Sequence, residues 1–196
     1  DVILDCLESL LGAREVCLHI VVVDNASTDG TADLIENWAA GQQVYQPSEG
    51  LPFDMIPSAK PLTLHTRVPQ GTTDTTVTLI RAGVNGGFAG GVNIGLKALS
   101  MVPEVDRFWV LNPDSVVPPE TPAHFASYQP PGGDFSLMGG RVTYVDPPSR
   151  LQSDGGTVNR KSGVTSNINF NTQLSEAVLP DAGDLDFIPG SNMVAS

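Results

Sequence analysis

Apolar residues at positions 3, 7, 10 and 11 recur at helical spacing through Val2-Ile3-Leu4-Asp5-Cys6-Leu7-Glu8-Ser9-Leu10-Leu11, and Gly12 follows as a residue able to end a helix. The pattern then changes. Leu18-His19-Ile20-Val21-Val22-Val23-Asp24 is a continuous run rich in β-branched residues, as expected of a strand buried on both faces of a parallel sheet. A polar turn, Asn25 to Gly30, leads into a helix predicted from Thr31 to Ala40 and stopped by Gly41. Residues 42 to 76 carry Pro47, Pro52, Pro57, Pro61 and Pro69 and predict no regular element, so they read as a functional excursion or a long loop.

Beyond the excursion, Val77 to Arg81 predicts a second strand, Phe88 to Ser100 a helix, and Arg107 to Leu111 a third strand. Strand, helix, strand, helix, strand at this spacing predicts βαβ units and an α/β fold with a mostly parallel sheet. From about Pro118 the texture differs. A short helix is expected from Thr121 to Tyr128, then a Pro-Pro-Gly-Gly turn, a strand across Leu137 to Val145, and a Gly, Ser and Asn-rich stretch from Asp154 to Phe170. Those segments predict antiparallel ribbons added to the edge of the parallel sheet. The sequence contains no internal repeat. The domain reading is a ligand-binding part over 1–120, interrupted by the excursion, and a second part of the same domain over 121–196.

Composition narrows the partners. Ten basic against 22 acidic residues give a net charge of −12, which repels nucleic-acid backbones and anionic membrane surfaces at long range. An anionic ligand here would need neutralisation by something other than a basic groove, and a divalent cation held by carboxylate is the natural means. Cys6 and Cys17 read as reduced, and no apolar run reaches the length of a membrane span, so a cytosolic protein is expected. The abrupt beginning at Asp1 and end at Ser196 predict a piece of a longer protein.

Ligands of open α/β sheets bind at the carboxyl ends of the strands, and the polar residues collect there. The predicted strands release Asp24-Asn25-Ala26-Ser27-Thr28-Asp29-Gly30, then Asn85-Gly86-Gly87-Phe88-Ala89-Gly90-Gly91-Val92-Asn93, then Asn112-Pro113-Asp114. Asp24, following four apolar strand residues, needs a partner: a base edge, a ribose hydroxyl or a backbone amide. Ser27 or Asp29 can cap the next helix. Asn25, Ser27, Asp29, Gly30 and Glu36 nearly match a calcium hand, but a strand precedes them where that motif needs a helix. In the glycine loop, Phe88 and Leu96 stand where a dinucleotide fingerprint needs Gly and a P-loop needs Lys, so both motifs fail. Bare backbone at a helix start still offers amides and a positive dipole end to an anion, although glycines there can also serve close packing. Asp114 can offer a carboxylate to a hard cation, although Asn-Pro-Asp is also an ordinary turn. His19, His65 and His124 are scattered and read as structural or exposed.

Taken together, VVVDNASTDGT, NGGFAGGVNIGL and WVLNPDSVVPP, in this order, resemble family 2 glycosyltransferases of the GT-A fold, in particular the rhamnosyltransferase-like branch. FIPGSNMVAS resembles the acceptor-side segment of that branch. The resemblance covers about residues 1 to 120 and this later segment. It implies a GT-A-like, Rossmann-related sheet with antiparallel additions, truncated at both ends. It also implies inverting transfer of a sugar, rhamnose by the branch's habit, from a dTDP- or UDP-sugar to the hydroxyl of a glycan or lipid-linked acceptor. Mg2+ or Mn2+ would assist, and the parent protein would be cytoplasmic and peripheral at the inner membrane. By resemblance Asp24 holds the nucleobase, and Asn25, Gly86, Gly87, Asn93, Asn112 and Asp114 line the nucleotide-sugar site. Asp114 also binds metal, and Gly190, Ser191 and Asn192 face the acceptor.

Asn112 stands at the first position of the family's Asp-x-Asp signature, which leaves a single carboxylate, and the 42–76 excursion is longer than the family's habit. The family's opening strand would precede Asp1 and its general base would follow Ser196, with Asp184 and Asp186 as substitutes for the latter. The expectation is a donor site with little or no transfer by this chain alone. A non-catalytic nucleotide-sugar-binding module is the alternative.

Overall fold

In the computed structural model, which describes residues 2–130 and 133–196, the opening stretch forms α1 (Val2–Leu11). The helix is less amphipathic in its surroundings than in its sequence, because Leu4, Cys6, Leu7 and Leu10 are buried together with the polar Asp5, Glu8 and Ser9. After it come β1 (His19–Asp24), α2 (Thr31–Ala39), β2 (Leu64–His65), β3 (Thr76–Arg81), α3 (Gly87–Leu99), β4 (Phe108–Leu111) and α4 (Thr121–Ser127). The chain continues through β5 (Leu137–Gly139), β6 (Val142–Thr143), β7 (Leu151–Ser153), β8 (Gly156–Val158), β9 (Thr165–Asn167), a 3-10 turn at Ala182–Asp184 and β10 (Asn192–Ala195). The predicted Pro-Pro-Gly-Gly turn includes residues outside those described. None of the described helices is long and apolar enough to cross a membrane.

The fold is mixed α/β, and its chain divides into two compact units. The first comprises residues up to 48 with 55–108 and 113–128. Its sheet is parallel in the order β1-β3-β2, with His19 opposite Thr76, Asp24 opposite Arg81, and Leu64 opposite Val77. Two expectations change here. The central strand is β3, buried from Thr76 to Leu79, whereas β1 lies at the sheet's edge with only Ile20 and Asp24 buried. Moreover, the excursion supplies a strand, β2, where its prolines suggested none. Helix α2 turns Ala32, Ile35, Trp38 and Ala39 into the core, while α3 lies against β1 near Val21 and Val23 with no fully buried residue of its own.

The buried polar side of α1 is explained by the excursion that covers it. Asp5 accepts hydrogen bonds from the Tyr45 hydroxyl (2.6 Å) and from the Ser48 hydroxyl (2.5 Å) and N–H (3.2 Å). The Glu8 side chain, wholly removed from solvent, accepts from Trp38 Nε1 (2.8 Å), the Ser58 N–H (2.7 Å) and Lys60 Nζ (2.7 Å). Lys60 also stands 4.3 Å from the centre of the Trp38 ring. Burial opposes ionisation of both carboxyls, but the donors prevail: Ser48 and Tyr45 hold Asp5, and Lys60, Ser58 and Trp38 hold Glu8, below their ordinary values. On α1's next residue, the Ser9 hydroxyl donates to Cys6 O (2.7 Å) and accepts from the Val117 N–H (3.1 Å).

The second unit comprises residues 49–54, 109–112 and 129–196. It corrects the expectation of a mostly parallel sheet. The third predicted strand, β4, does not join the parallel sheet: β10 sits between β4 and β5, antiparallel to β5, in a sheet of its own. The strand expected over Leu137 to Val145 breaks into β5 and β6, and β6 pairs antiparallel with β7. The break falls after Gly139, the last residue of β5, where a Cβ would come within 2.6 Å of Ile188 Cγ2. Strands β8 and β9 form the expected antiparallel ribbon, but as a separate two-stranded sheet rather than an edge addition. Buried Asp154 holds this unit's turns together, accepting from Arg141 through both oxygens (2.8 Å each) and from Asn169 Nδ2 (2.8 Å).

Two stability predictions follow from the first unit. Because the folded-state values of Asp5 and Glu8 lie below their ordinary 3.8 and 4.5, the unfolded chain takes up more protons in acid. Their contribution is therefore full above about pH 4.5 and is lost as pH falls through the lowered values. Lys60→Met, which leaves Glu8 buried without its cation, should cost about 3 kcal/mol at pH 7, and the deficit should shrink toward pH 4 as Glu8 protonates; urea titrations across pH measure both. At the centre of β3, Thr78 Oγ1 is buried without a hydrogen-bond partner, so Thr78→Val should leave stability unchanged or raise it by about 1 kcal/mol in the same assay.

Candidate functional site

Strand β1 ends at Asp24, whose backbone carbonyl accepts from the Ala82 N–H (2.8 Å), so the ends of β1 and β3 stay in register. The Asp24 carboxyl, nearly buried, finds its partner in its own turn: Oδ1 accepts from the Ser27 N–H at 3.2 Å. Of the partners anticipated for it, a backbone amide is present. Between them Ala26 takes a left-handed conformation (φ 59°), which makes room for that closure. Asp29 lies just before α2, its Oδ1 accepting from the Thr31 hydroxyl (2.6 Å) and N–H (3.0 Å), and these donors hold its pKa below the ordinary value. Neither Ser27 nor Asp29 is the cap expected of it: Gly30 (φ 83°) holds the N-cap position without a side-chain cap bond, and Asp29 closes a local turn on Thr31.

The side chain of Asn25 crosses from the first loop to the second. Its Oδ1 accepts from the Gly86 N–H at 3.0 Å, and its Nδ2 donates to Gly87 O at 2.9 Å and to Asn85 Oδ1 at 3.2 Å. Asn85 Oδ1 in turn accepts from the Gly87 N–H at 2.9 Å. Two backbone donors thus fix which way both carboxamides face. Gly87 has φ 72°, a conformation that glycine adopts without strain.

This arrangement changes the roles expected of the glycine loop. Of the first four amides of α3, which the helix itself cannot satisfy, Gly86 and Gly87 are already taken by Asn25 and Asn85. Among the described residues no partner is recorded for the other two, the amides of Phe88 and Ala89, which lie at exposed positions. Asn85 is a member of this network to which the sequence assigns no role; its position directly before Gly-Gly is the signal that points to it. Asn93 lies two turns further along α3 and is exposed.

The remaining predicted residues are distributed between the units. Asp114 is exposed in the first unit, and among the described residues no hydrogen bond joins it to Asp24, Asn25 or the glycine loop. Its charge is felt at Cys6, where burial first, then Asp114 and Asp5, push the thiol up to about 12. In the second unit, the Asn112 N–H donates to Ser191 O (3.0 Å), which brings Asn112 beside Gly190, Ser191 and Asn192. Asn192 is itself engaged: Oδ1 accepts from Trp109 Nε1 (2.8 Å) and Nδ2 donates to Gly140 O (3.3 Å).

Neither substitute base is idle. Asp184 Oδ2 accepts from the Asp181 N–H at 3.2 Å, and the pKa of Asp186 is held below its ordinary value by the Val158 N–H and by Arg160, each at 2.8 Å. Among the described residues no three His, Cys, Asp or Glu side chains gather as a metal-binding group. A cation at Asp114 would thus draw its other ligands from diphosphate and water. The calcium-hand alternative also loses its ligand set, because Glu36 pairs with Arg81 (2.9 Å) and Asn25 faces the glycine loop. His19 Nδ1 lies 2.9 Å from Thr76 Oγ1, a structural contact. A surface hollow of about 240 Å3, lined by Arg14, Glu15, Glu120, Ala123, His124 and Ser127, contains none of the predicted site residues.

No family model matches the chain, and no curated protein or solved structure matches it. The two thiols differ sharply in setting, since Cys6 is buried and Cys17 exposed. A chromogenic disulfide reagent at pH 8 should therefore label one thiol of the native chain, Cys17, and reach Cys6 only after denaturation; peptide mapping of the product identifies the site.

Proposed function

We propose that this chain forms the donor-binding part of a glycosyltransferase of family 2 with a GT-A fold, of the rhamnosyltransferase-like branch. It takes a dTDP- or UDP-sugar at the loops that follow β1, β3 and β4. The observation that carries the reading is the junction of the first two loops: Asn25, at the end of β1, holds the glycine loop, leaving the Phe88 and Ala89 amides of a 13-residue helix without internal partners. Such amides suit a diphosphate, and in so acidic a chain they are a source of positive potential that needs no basic side chain.

In this reading Asp24 and its turn bound the nucleobase, Gly86, Gly87 and Asn93 shape the pocket, and Asp114 offers its carboxylate to Mg2+ or Mn2+. Asn112, in the second unit, bonds the acceptor segment at Ser191. A bound cation supplies charge stabilisation for the departing diphosphate. The helix-end amides of this chain orient the same phosphates. The acceptor, a glycan or lipid-linked hydroxyl, must lose a proton to a carboxylate as it attacks. The second reading, a nucleotide-sugar-binding module without transfer, is favoured by the engagement of both Asp184 and Asp186.

Calorimetry decides between the assignments. UDP or dTDP should bind in the presence of Mg2+, and Asp114→Ala should weaken that binding by about tenfold or more, the equivalent of at least about 1.4 kcal/mol. Nucleotide binding that is equally strong with and without Mg2+, or indifferent to Asp114→Ala, removes the metal role. Transfer to an acceptor sugar by the chain separates the enzyme from the module.

A further inference from the structure

We infer that Asn25 is a positioning residue rather than a ligand contact: its carboxamide ties the glycine loop to the end of β1 and thereby sets the backbone that a diphosphate would meet. This inference rests on the donor-site reading, but the contacts that carry it lie wholly within the protein. All the hydrogen-bonding directions the site requires of Asn25 are used: Oδ1 by the Gly86 N–H (3.0 Å), and Nδ2 by Gly87 O (2.9 Å) and Asn85 Oδ1 (3.2 Å). A carboxamide with one acceptor and two donor hydrogens so committed has nothing left to offer a nucleotide except a weak second lone pair.

The residues joined are about sixty positions apart in sequence, so the contact locks two separate loops and is not a local turn. The second turn of α3 passes the same carboxamide at Gly91, where a Cβ would stand an ordinary 3.6 Å from Nδ2; the clamp therefore depends on Asn25 and not on a glycine opposite it. No other side chain in the described residues hydrogen-bonds Gly86 N–H or Gly87 O; without Asn25 the Gly86 N–H turns to solvent, while Gly87 O keeps only its place in the first turn of α3. The loop would then sample conformations in which the Phe88 and Ala89 amides no longer point together.

Two variants read the clamp residue by residue. Asn25→Ala removes every contact; Asn25→Asp keeps an acceptor for the Gly86 N–H and loses the donor toward Gly87 O and Asn85. Amide exchange followed by NMR on the ligand-free chain should rise about tenfold or more at Gly86 in Asn25→Ala and stay near the unaltered rate there in Asn25→Asp, which keeps an acceptor, while Gly87, whose N–H is held by Asn85 Oδ1, changes less than Gly86 in Asn25→Ala. Because the clamp is on a surface loop, melting temperature should move by no more than about 3 °C. Affinity for UDP with Mg2+ should fall about tenfold in Asn25→Ala. Unchanged exchange at Gly86 in Asn25→Ala, the same exchange pattern in both variants, or wild-type nucleotide affinity in Asn25→Ala overturns the inference. If the unaltered chain binds neither UDP nor dTDP, the donor-site reading falls while the exchange pattern still decides whether Asn25 holds the loop.

Discussion

A carboxylate withdrawn from water must be surrounded by donors, and Glu8 meets that demand by drawing two other parts of the chain onto α1. Trp38 comes from α2, Ser58 and Lys60 from the excursion, and Glu8 itself from α1. Residues 45–48 and 58–60 of the excursion therefore cover the polar side of α1 within the first unit. Asp5 repeats the arrangement one turn earlier with Tyr45 and Ser48. With both carboxylates in place, Leu4, Leu7, Ile35 and Trp38 can share one core, since the polar side of α1 is satisfied from the opposite direction. Replacing such a hub by apolar residues of equal shape need not cost stability, but its directional bonds select which segment may lie over α1.

The candidate site depends on that scaffold at one remove. Strands β1 and β3 keep matching lengths, His19 to Asp24 beside Thr76 to Arg81, so their following loops emerge side by side. Arg81, at the end of β3, pairs with Asp33 (2.8 Å) and Glu36 (2.9 Å) on α2, adding a surface tie near the same end of the sheet. What the loops then do is decided by short-range bonding: Asp24 closes its own turn, Asp29 bonds Thr31 beside the helix start, and Asn25 reaches the glycines.

Periodicity located α1, β1, α2, β3, α3 and α4 within a residue or two, because each is a run whose apolar spacing leaves little choice. It misjudged where strands pair. Nothing in Arg107 to Leu111 distinguishes a strand that joins a parallel sheet from one that pairs with Asn192 to Ala195, since pairing is a property of distant residues. Buried Asp5 and Glu8 were also illegible, because their partners Tyr45, Ser48, Ser58 and Lys60 lie in a segment whose prolines hide its order. In the site, the polar loops were visible as residue types. The engagement of Asn25, Gly86 and Gly87 with one another was not, since a carboxamide that binds a ligand and one that binds a neighbouring loop look identical in sequence.

The placement of β10 between β4 and β5 carries a consequence for how this protein is made. Residues 108–111 and 137–139 have no common sheet until 192–195 arrives, a separation of about eighty residues for β4 and more than fifty for β5. Closing loops of that length slows assembly more than it lowers final stability. On the ribosome the parallel sheet, complete once Arg81 has emerged, can mature while the later sheet still awaits its middle strand, so premature termination or a stall before residue 192 would strand an open β-edge that invites self-association.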